Sequence, residues 1–130
     1  MITVGATYGD SYCGGGTVIG IDEVKNSVGT KLTLSDNGVI IGSGVSKVLV
    51  SSSVFYDYRS DGPGYGWYNL QKNGNDTGYV AIGYTGTNYD TASITPILLD
   101  VSQGDKITLR NNSDGQVRGT ATWLTVIAVG

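Results

Sequence analysis

The feature that most constrains this chain is its punctuation. Clusters of Gly, Asn, Asp and Ser recur between short runs rich in Val, Ile, Thr and Tyr, and no run carries an i, i+3, i+4, i+7 apolar stripe. The clusters are Asp36-Asn37-Gly38, Ser60-Asp61-Gly62-Pro63-Gly64, Lys72-Asn73-Gly74-Asn75, Gly86-Thr87-Asn88, Ser102-Gln103-Gly104-Asp105 and Asn111-Asn112-Ser113-Asp114-Gly115. Asn-Gly pairs supply the positive φ values of tight hairpin turns at low steric cost. The runs between them predict strands over 2–7, 17–22, 30–34, 38–42, 46–57, 66–72, 78–84, 93–100, 105–111 and 119–129. Glu, Lys and Ala, which fill helix surfaces, are scarce, and Glu occurs only as Glu23. A chain of 130 residues with no linker and no repeat predicts one all-β domain spanning residues 1–130.

The strands fall into two classes. Residues 105–111 alternate, with Ile107 and Leu109 on one face and Lys106, Thr108 and Arg110 on the other. Residues 67–72 set Tyr68 and Leu70 against Trp67, Asn69 and Gln71. Such strands have one face in a core and one in water. Three other runs are apolar or small on both faces. In 46–57, Val48, Val50, Val54 and Tyr56 oppose Leu49, Ser51, Ser53 and Phe55. In 93–100, Ile94, Pro96 and Leu98 oppose Ile97 and Leu99. In 120–129, Leu124, Val126 and Ala128 oppose Trp123, Ile127 and Val129. A sandwich sheet buries one face against its partner sheet, so a second apolar face needs another cover. Without helices, that cover is a further copy of the chain.

Composition removes several function classes. There is no His, which eliminates the Ser-His and Cys-His pairs and most zinc and copper sites. Cys13 is alone, so no internal disulfide forms, and nothing nearby would lower its pKa. Gly14-Gly15-Gly16 lacks the Lys-Ser/Thr of a phosphate loop. The net charge of −3, with the eight Lys and Arg scattered, argues against nucleic acid and anionic membrane surfaces as partners. No apolar run approaches the roughly 20 residues of a membrane span, and Met1-Ile2-Thr3-Val4-Gly5 does not resemble the start of a signal peptide. Most of the ten Asp stand beside Gly, Asn or Ser, where Asp shapes turns. No enzyme is expected.

The order of these signals resembles the compact jelly roll of complement globular heads and tumour necrosis factor-like domains. The resemblance rests on Ile21-Asp22-Glu23-Val24-Lys25-Asn26-Ser27-Val28-Gly29, on Trp67-Tyr68-Asn69-Leu70-Gln71-Lys72-Asn73-Gly74, and above all on Ile97-Leu98-Leu99-Asp100-Val101-Ser102-Gln103-Gly104-Asp105-Lys106-Ile107-Thr108-Leu109. It spans residues 17–130. It implies a two-sheet antiparallel jelly roll, a homotrimer with the inner sheet at the threefold axis, and an interface that includes Val48, Val50, Val54, Tyr56, Leu98, Trp123, Leu124 and Val126. Val39, Ile40, Val48 and Val54 stand where the family carries aromatics. Gly38-Val39-Ile40-Ile41 and Val45-Ser46-Lys47-Val48-Leu49-Val50-Ser51 are similar instead to bacteriophage versions, the heads of tail, baseplate or fibre proteins.

Three readings of function follow. In the first, the chain is a trimeric phage or prophage head on the virion, made in the bacterial cytoplasm, that recognises a host-surface saccharide or protein receptor. Sugar sites pair an aromatic face with amides or carboxylates. Residues of that kind are Tyr58, Arg59, Asp61, Tyr65, Trp67, Tyr84, Asn88, Tyr89 and Asp90. On strands such aromatics more often pack than bind, which leaves Tyr65 and Tyr89 as the stronger candidates. In the second reading the domain only locks or decorates a trimeric assembly. In the third it is a secreted complement- or TNF-like ligand, and Asn75-Asp76-Thr77 and Asn111-Asn112-Ser113 would be its glycosylation motifs. No cofactor is expected. Calcium, which some family members hold, would use Asp57, Asp61, Asp90 or Asp114 beside their turns.

Overall fold

The structure, a computed structural model, describes residues 1–6, 16–57, 65–84, 90–113 and 115–130. Among the described residues there are eleven strands: β1 Ile2–Gly5, β2 Thr17–Val18, β3 Glu23–Ser27, β4 Leu32–Ser35, β5 Gly38–Ile41, β6 Lys47–Tyr56, β7 Tyr65–Lys72, β8 Asn75–Tyr84, β9 Asp90–Asp100, β10 Lys106–Asn111 and β11 Val117–Ala128. They form two antiparallel sheets. One runs β3-β1-β11-β6-β9 and the other β4-β5-β10-β7-β8, with β2 pairing the far end of β10. This is the expected jelly-roll sandwich.

The turn chemistry works as the sequence predicts. Asp36 and Asn37 both take positive φ, 47° and 63°, and Ser35 pairs Gly38 across them in a two-residue hairpin. Asn73 and Gly74, at 54° and 79°, repeat the solution between β7 and β8. Asn37 does a second job, since its Oδ1 accepts the Ile21 N–H at 3.1 Å.

The core lies between the sheets. From the five-stranded sheet come Ile2, Val4, Val48, Val50, Val54, Tyr56, Leu124 and Val126. From the other sheet come Val39, Ile41, Tyr68, Leu70, Ile107 and Leu109. Tyr56 and Tyr68 are the largest fully buried side chains, and each hydroxyl is satisfied. Tyr56 donates to Asn111 Oδ1 at 3.1 Å, and Tyr68 pairs with Ser52 Oγ at 2.9 Å. The Tyr56 ring lies flat against bare backbone: a Cβ on Gly66 would stand 2.2 Å from its Cγ, and one on Gly115 would stand 2.7 Å from its Cδ1.

Three features correct the sequence reading. Glu23–Ser27 is a strand pairing β1, although its polar composition and exposed position gave it no two-residue pattern. Only Thr17 and Val18 of the expected 17–22 strand are paired. In β9 the alternation changes phase. Val50 faces Ile97 and Ser52 faces Ile94, so β9 spends two residues, Thr95 and Pro96, where β6 spends one. Ile94, Ile97 and Leu99 therefore all turn toward the core, while Leu98 turns out. A proline, lacking an N–H, fits such a bulge on an edge strand. The facing edge strand β8 has its own bulge, since Asn69 pairs Val80 but Gln71 pairs Asp76, with Gly78 at φ 92° between them.

The bulge in β11 is held from inside the chain. Register jumps between Arg118 and Trp123, and the buried Thr122 hydroxyl donates to Arg118 O at 2.7 Å while accepting the Phe55 N–H at 3.3 Å.

Candidate functional site

Two surfaces stand out, one on each sheet. The first is the outward face of the five-stranded sheet. The residues expected at a subunit interface divide here. Val48, Val50, Val54, Tyr56, Leu124 and Val126 point into the sandwich, where the other sheet already covers them. They are core, and a second copy cannot reach them. Leu98 and Trp123 point outward, 52% and 38% exposed. Their neighbours across the strands are Leu49, Ser51, Ser53, Thr125 and Ile127: Leu49 pairs both Ile127 and Leu98, and Trp123 pairs Ser53.

Hydroxyls on this face bond to one another, Thr3 to Thr125 at 2.8 Å and Ser53 to Ser93 at 3.0 Å. Charges sit at its ends. Lys47 bonds Asp100 at one, and Arg118 faces Asp57 at 3.7 Å at the other. The interior of the face is thus neutral, and four of its hydroxyls pair with one another without water.

The second surface is the outward face of β7 and β8. Tyr68, Leu70 and Ala81 turn inward, which sends Trp67, Asn69, Val80, Ile82 and Tyr84 outward. Tyr65 pairs Tyr84, with ring centroids 5.3 Å apart at 59°. In the next row Trp67 pairs Ile82, and Asn112 donates its N–H to Trp67 O. In the third row Val80, Asn69, Arg110 and Val18 follow one another across β8, β7, β10 and β2. The side-chain amides of Asn69 and Asn112 bond each other. Tyr65 is 62% exposed, Ile82 58% and Trp67 43%. Arg110, on this face, has no ion-pair or hydrogen-bond partner for its side chain among the described residues.

Of the sequence candidates, Tyr65, Trp67 and Tyr84 therefore share one face. Asp90 stands beside them but is committed locally, its two oxygens accepting the Tyr84 N–H at 2.8 Å and the Thr91 N–H at 2.9 Å. Tyr58, Arg59, Asp61, Asn88 and Tyr89 lie outside the described residues. Sequence reasoning passed over Val80, Ile82, Asn69, Asn112 and Arg110. The available signal was the small inward pair Ala81 and Gly83, set against Tyr68 and Asp90, which reverses the usual expectation that the apolar face is the buried one.

The acidic residues named for calcium behave as structural groups. Asp57 faces Arg118 and Asp90 holds its turn, while Asp61 and Asp114 lie outside the described residues. Among the described residues no three Cys, Asp or Glu side chains gather as a metal site would require. The two glycosylation motifs also separate. Asn75 is exposed, but Asn111 is fully buried and spends its amide on Gly115 O and Tyr56.

No protein-family model matches the sequence, and no curated protein matches it. Solved structures do. Eiger TNF from S. frugiperda superposes with a TM-score of 0.77 at 13% identity, covering 99% of this chain and 91% of that one. Murine APRIL, in its crystal structure at pH 5.0, gives a TM-score of 0.70 at 15% identity, covering 98% of this chain and 97% of that one. At these identities the likeness concerns backbone architecture, and it shows that the chain has the tumour necrosis factor-like jelly-roll fold.

Proposed function

We propose that the chain is a non-enzymatic, TNF-like binding ligand that assembles as a homotrimer and meets its partner with surface left free by assembly. The observation that carries this is the outward face of β3-β1-β11-β6-β9. Leu49, Leu98, Trp123 and Ile127 lie among hydroxyls that pair with one another, with ion pairs kept to the ends and to the edge strand β3. Such a face can be buried against copies of itself at little desolvation cost. The threefold arrangement is supported by the sequence resemblance to a trimeric family and by the fold shared with Eiger TNF. These neighbours favour a TNF-like ligand over a bacteriophage head. The absence of His from the sequence supports a role in binding rather than chemistry.

The test is mass in solution by sedimentation velocity and light scattering. The wild-type chain is expected at three times its monomer mass. Trp123→Glu and Leu98→Lys, on the outward face, should yield a folded monomer. Leu124→Asp should unfold the chain, because it places an unpaired charge between the sheets. A well-folded wild-type monomer at micromolar concentration would refute the proposal.

A further inference from the structure

The outer-sheet strip differs in kind from the assembly face. Tyr65, Tyr84, Trp67, Ile82, Val80 and Val18 are all exposed on neighbouring rows of one face. Each leaves on the order of 100 Å² in water, so together they present about 600 Å² of mostly apolar surface. That equals the largest apolar patch of an ordinary monomer, and it approaches the ~800 Å² one partner contributes to a standard interface. The strip is built on paired strands, so presenting it costs little ordering on binding.

Its composition is that of an interface centre. Trp, Tyr and Arg are the side chains that dominate binding energy when desolvated, and charges are otherwise depleted there. Among the described residues the one cation here is Arg110, which sits one row from Trp67 beside Asn69 and pairs with no described carboxylate. Half-buried on an apolar face, it has no counter-charge among the described residues, and a docked partner's carboxylate would supply one. Among the described residues, clefts of about 530 and 440 Å³ open elsewhere, one beside Tyr79 and Leu98 and the other beside Val24 and Leu34. A saccharide site would be expected to enclose its ligand. A sheet face that adds Val80 and Ile82 to its aromatics suits a protein surface better.

We infer that the outward face of β7 and β8 docks a protein partner that lays an apolar side chain over Trp67 and Ile82 and brings a carboxylate to Arg110. This deepens the proposed role as a binding ligand and rests on it.

The experiment uses the full-length wild-type protein and a displayed library of random twelve-residue peptides, counter-selected on a variant carrying Trp67→Ala, Ile82→Ser and Arg110→Gln. Enriched peptides should place Asp or Glu near an aromatic or large aliphatic residue. A synthetic peptide of the enriched sequence should bind at least tenfold more weakly to Trp67→Ala and to Ile82→Ser, and about tenfold more weakly to Arg110→Gln. Lys25→Gln, on the other sheet, should leave binding unchanged. Circular dichroism and oligomer mass should be the same for every variant, since all the altered side chains are at the surface.

Peptides enriched in basic residues, enrichment no greater than on the triple variant, or binding indifferent to the single substitutions would each overturn the inference. A parallel glycan array tests the competing ligand class: a saccharide bound by wild type and lost on Trp67→Ala would show a carbohydrate site in its place. Any of these results with the trimer mass intact would refute the docking face while leaving self-assembly standing.

Discussion

Gly66→Ala is the substitution through which the packing of this core can be weighed. The added methyl would stand 2.2 Å from Cγ and 2.4 Å from both Cδ atoms of Tyr56, more than 1 Å inside ordinary contact. Neither side can retreat easily. Tyr56 is fully buried, tied by its hydroxyl to Asn111 and backed by Gly115. The Gly66 backbone is paired with Gly83 of β8, and β10 holds the same strand from Tyr68 onward.

Overpacking costs about 1–3 kcal/mol where the surroundings yield. Displacing the ring also loses its hydrogen bond, about another 1 kcal/mol. We therefore expect a loss of about 2–4 kcal/mol, a fall in melting temperature on the order of 10 °C. The assay is urea denaturation followed by far-UV circular dichroism, at one fixed protein concentration because assembly contributes to apparent stability. The decisive comparison is a double-mutant cycle with Tyr56→Leu. If the ring is the obstacle, Gly66→Ala should cost at least about 1.5 kcal/mol less once the ring is gone. An equal cost in both backgrounds, or less than about 1 kcal/mol in the wild type, would refute the steric argument.

Other expectations concern single polar groups. Burial pushes the Tyr68 phenol up to about 12, despite the opposing bond from Ser52. Its contribution is therefore fully present below pH 10 and lost as pH rises from 10 to about 12, on the order of 2–3 kcal/mol, measurable by urea titration across that range. Tyr68→Phe should abolish that alkaline slope and cost about 1–2 kcal/mol at neutral pH, since the Ser52 hydroxyl is left buried and unpaired. Asp105 is held below the usual carboxylate range by the Asn73 amide and the Ser102 N–H. Its contribution persists above the ordinary carboxylate pKa and fades as pH falls through the lowered one, so Asp105→Asn should flatten the acid limb of the stability profile. Thr108 Oγ1 is buried without a hydrogen-bond partner, so Thr108→Val should be neutral or stabilising by up to about 1 kcal/mol, read as an unchanged or raised urea midpoint.

The sandwich was legible wherever period and punctuation agreed. Ile107 and Leu109 alternate with Lys106 and Arg110, and the Asp36-Asn37 and Asn73-Gly74 turns lead into β5 and β8, so strand, face and turn could all be read. Legibility failed where a bulge intervened, because one extra residue flips every later side chain. Strict alternation put Leu98 with Ile94, whereas the Thr95-Pro96 bulge put Ile97 there instead. It failed differently at the assembly face. A strand apolar on both sides shows that two surfaces are covered, but Val48 and Leu49 look equivalent until the second sheet selects Val48. At the outer strip the aromatics were visible, but their side depended on Gly66 and Gly83 facing inward. Only the three-dimensional position of Tyr56 explains why that side must be bare at Gly66.

The paired bulges on β8 and β9 carry one further consequence. A molecule that adheres to its own kind through a sheet runs the risk of adhering along its borders, where unpaired amides and carbonyls would recruit strand after strand into a fibril. Here both borders on that flank are broken, one by Gly78 and the other by Pro96, which offers no N–H. In the proposed homotrimer, association would thereby be steered from the rim to the flat of the sheet. Concentrated solutions of this protein should hold discrete particles of one size, and Pro96→Val, which restores a donor to that border, is the change most apt to release growth without end.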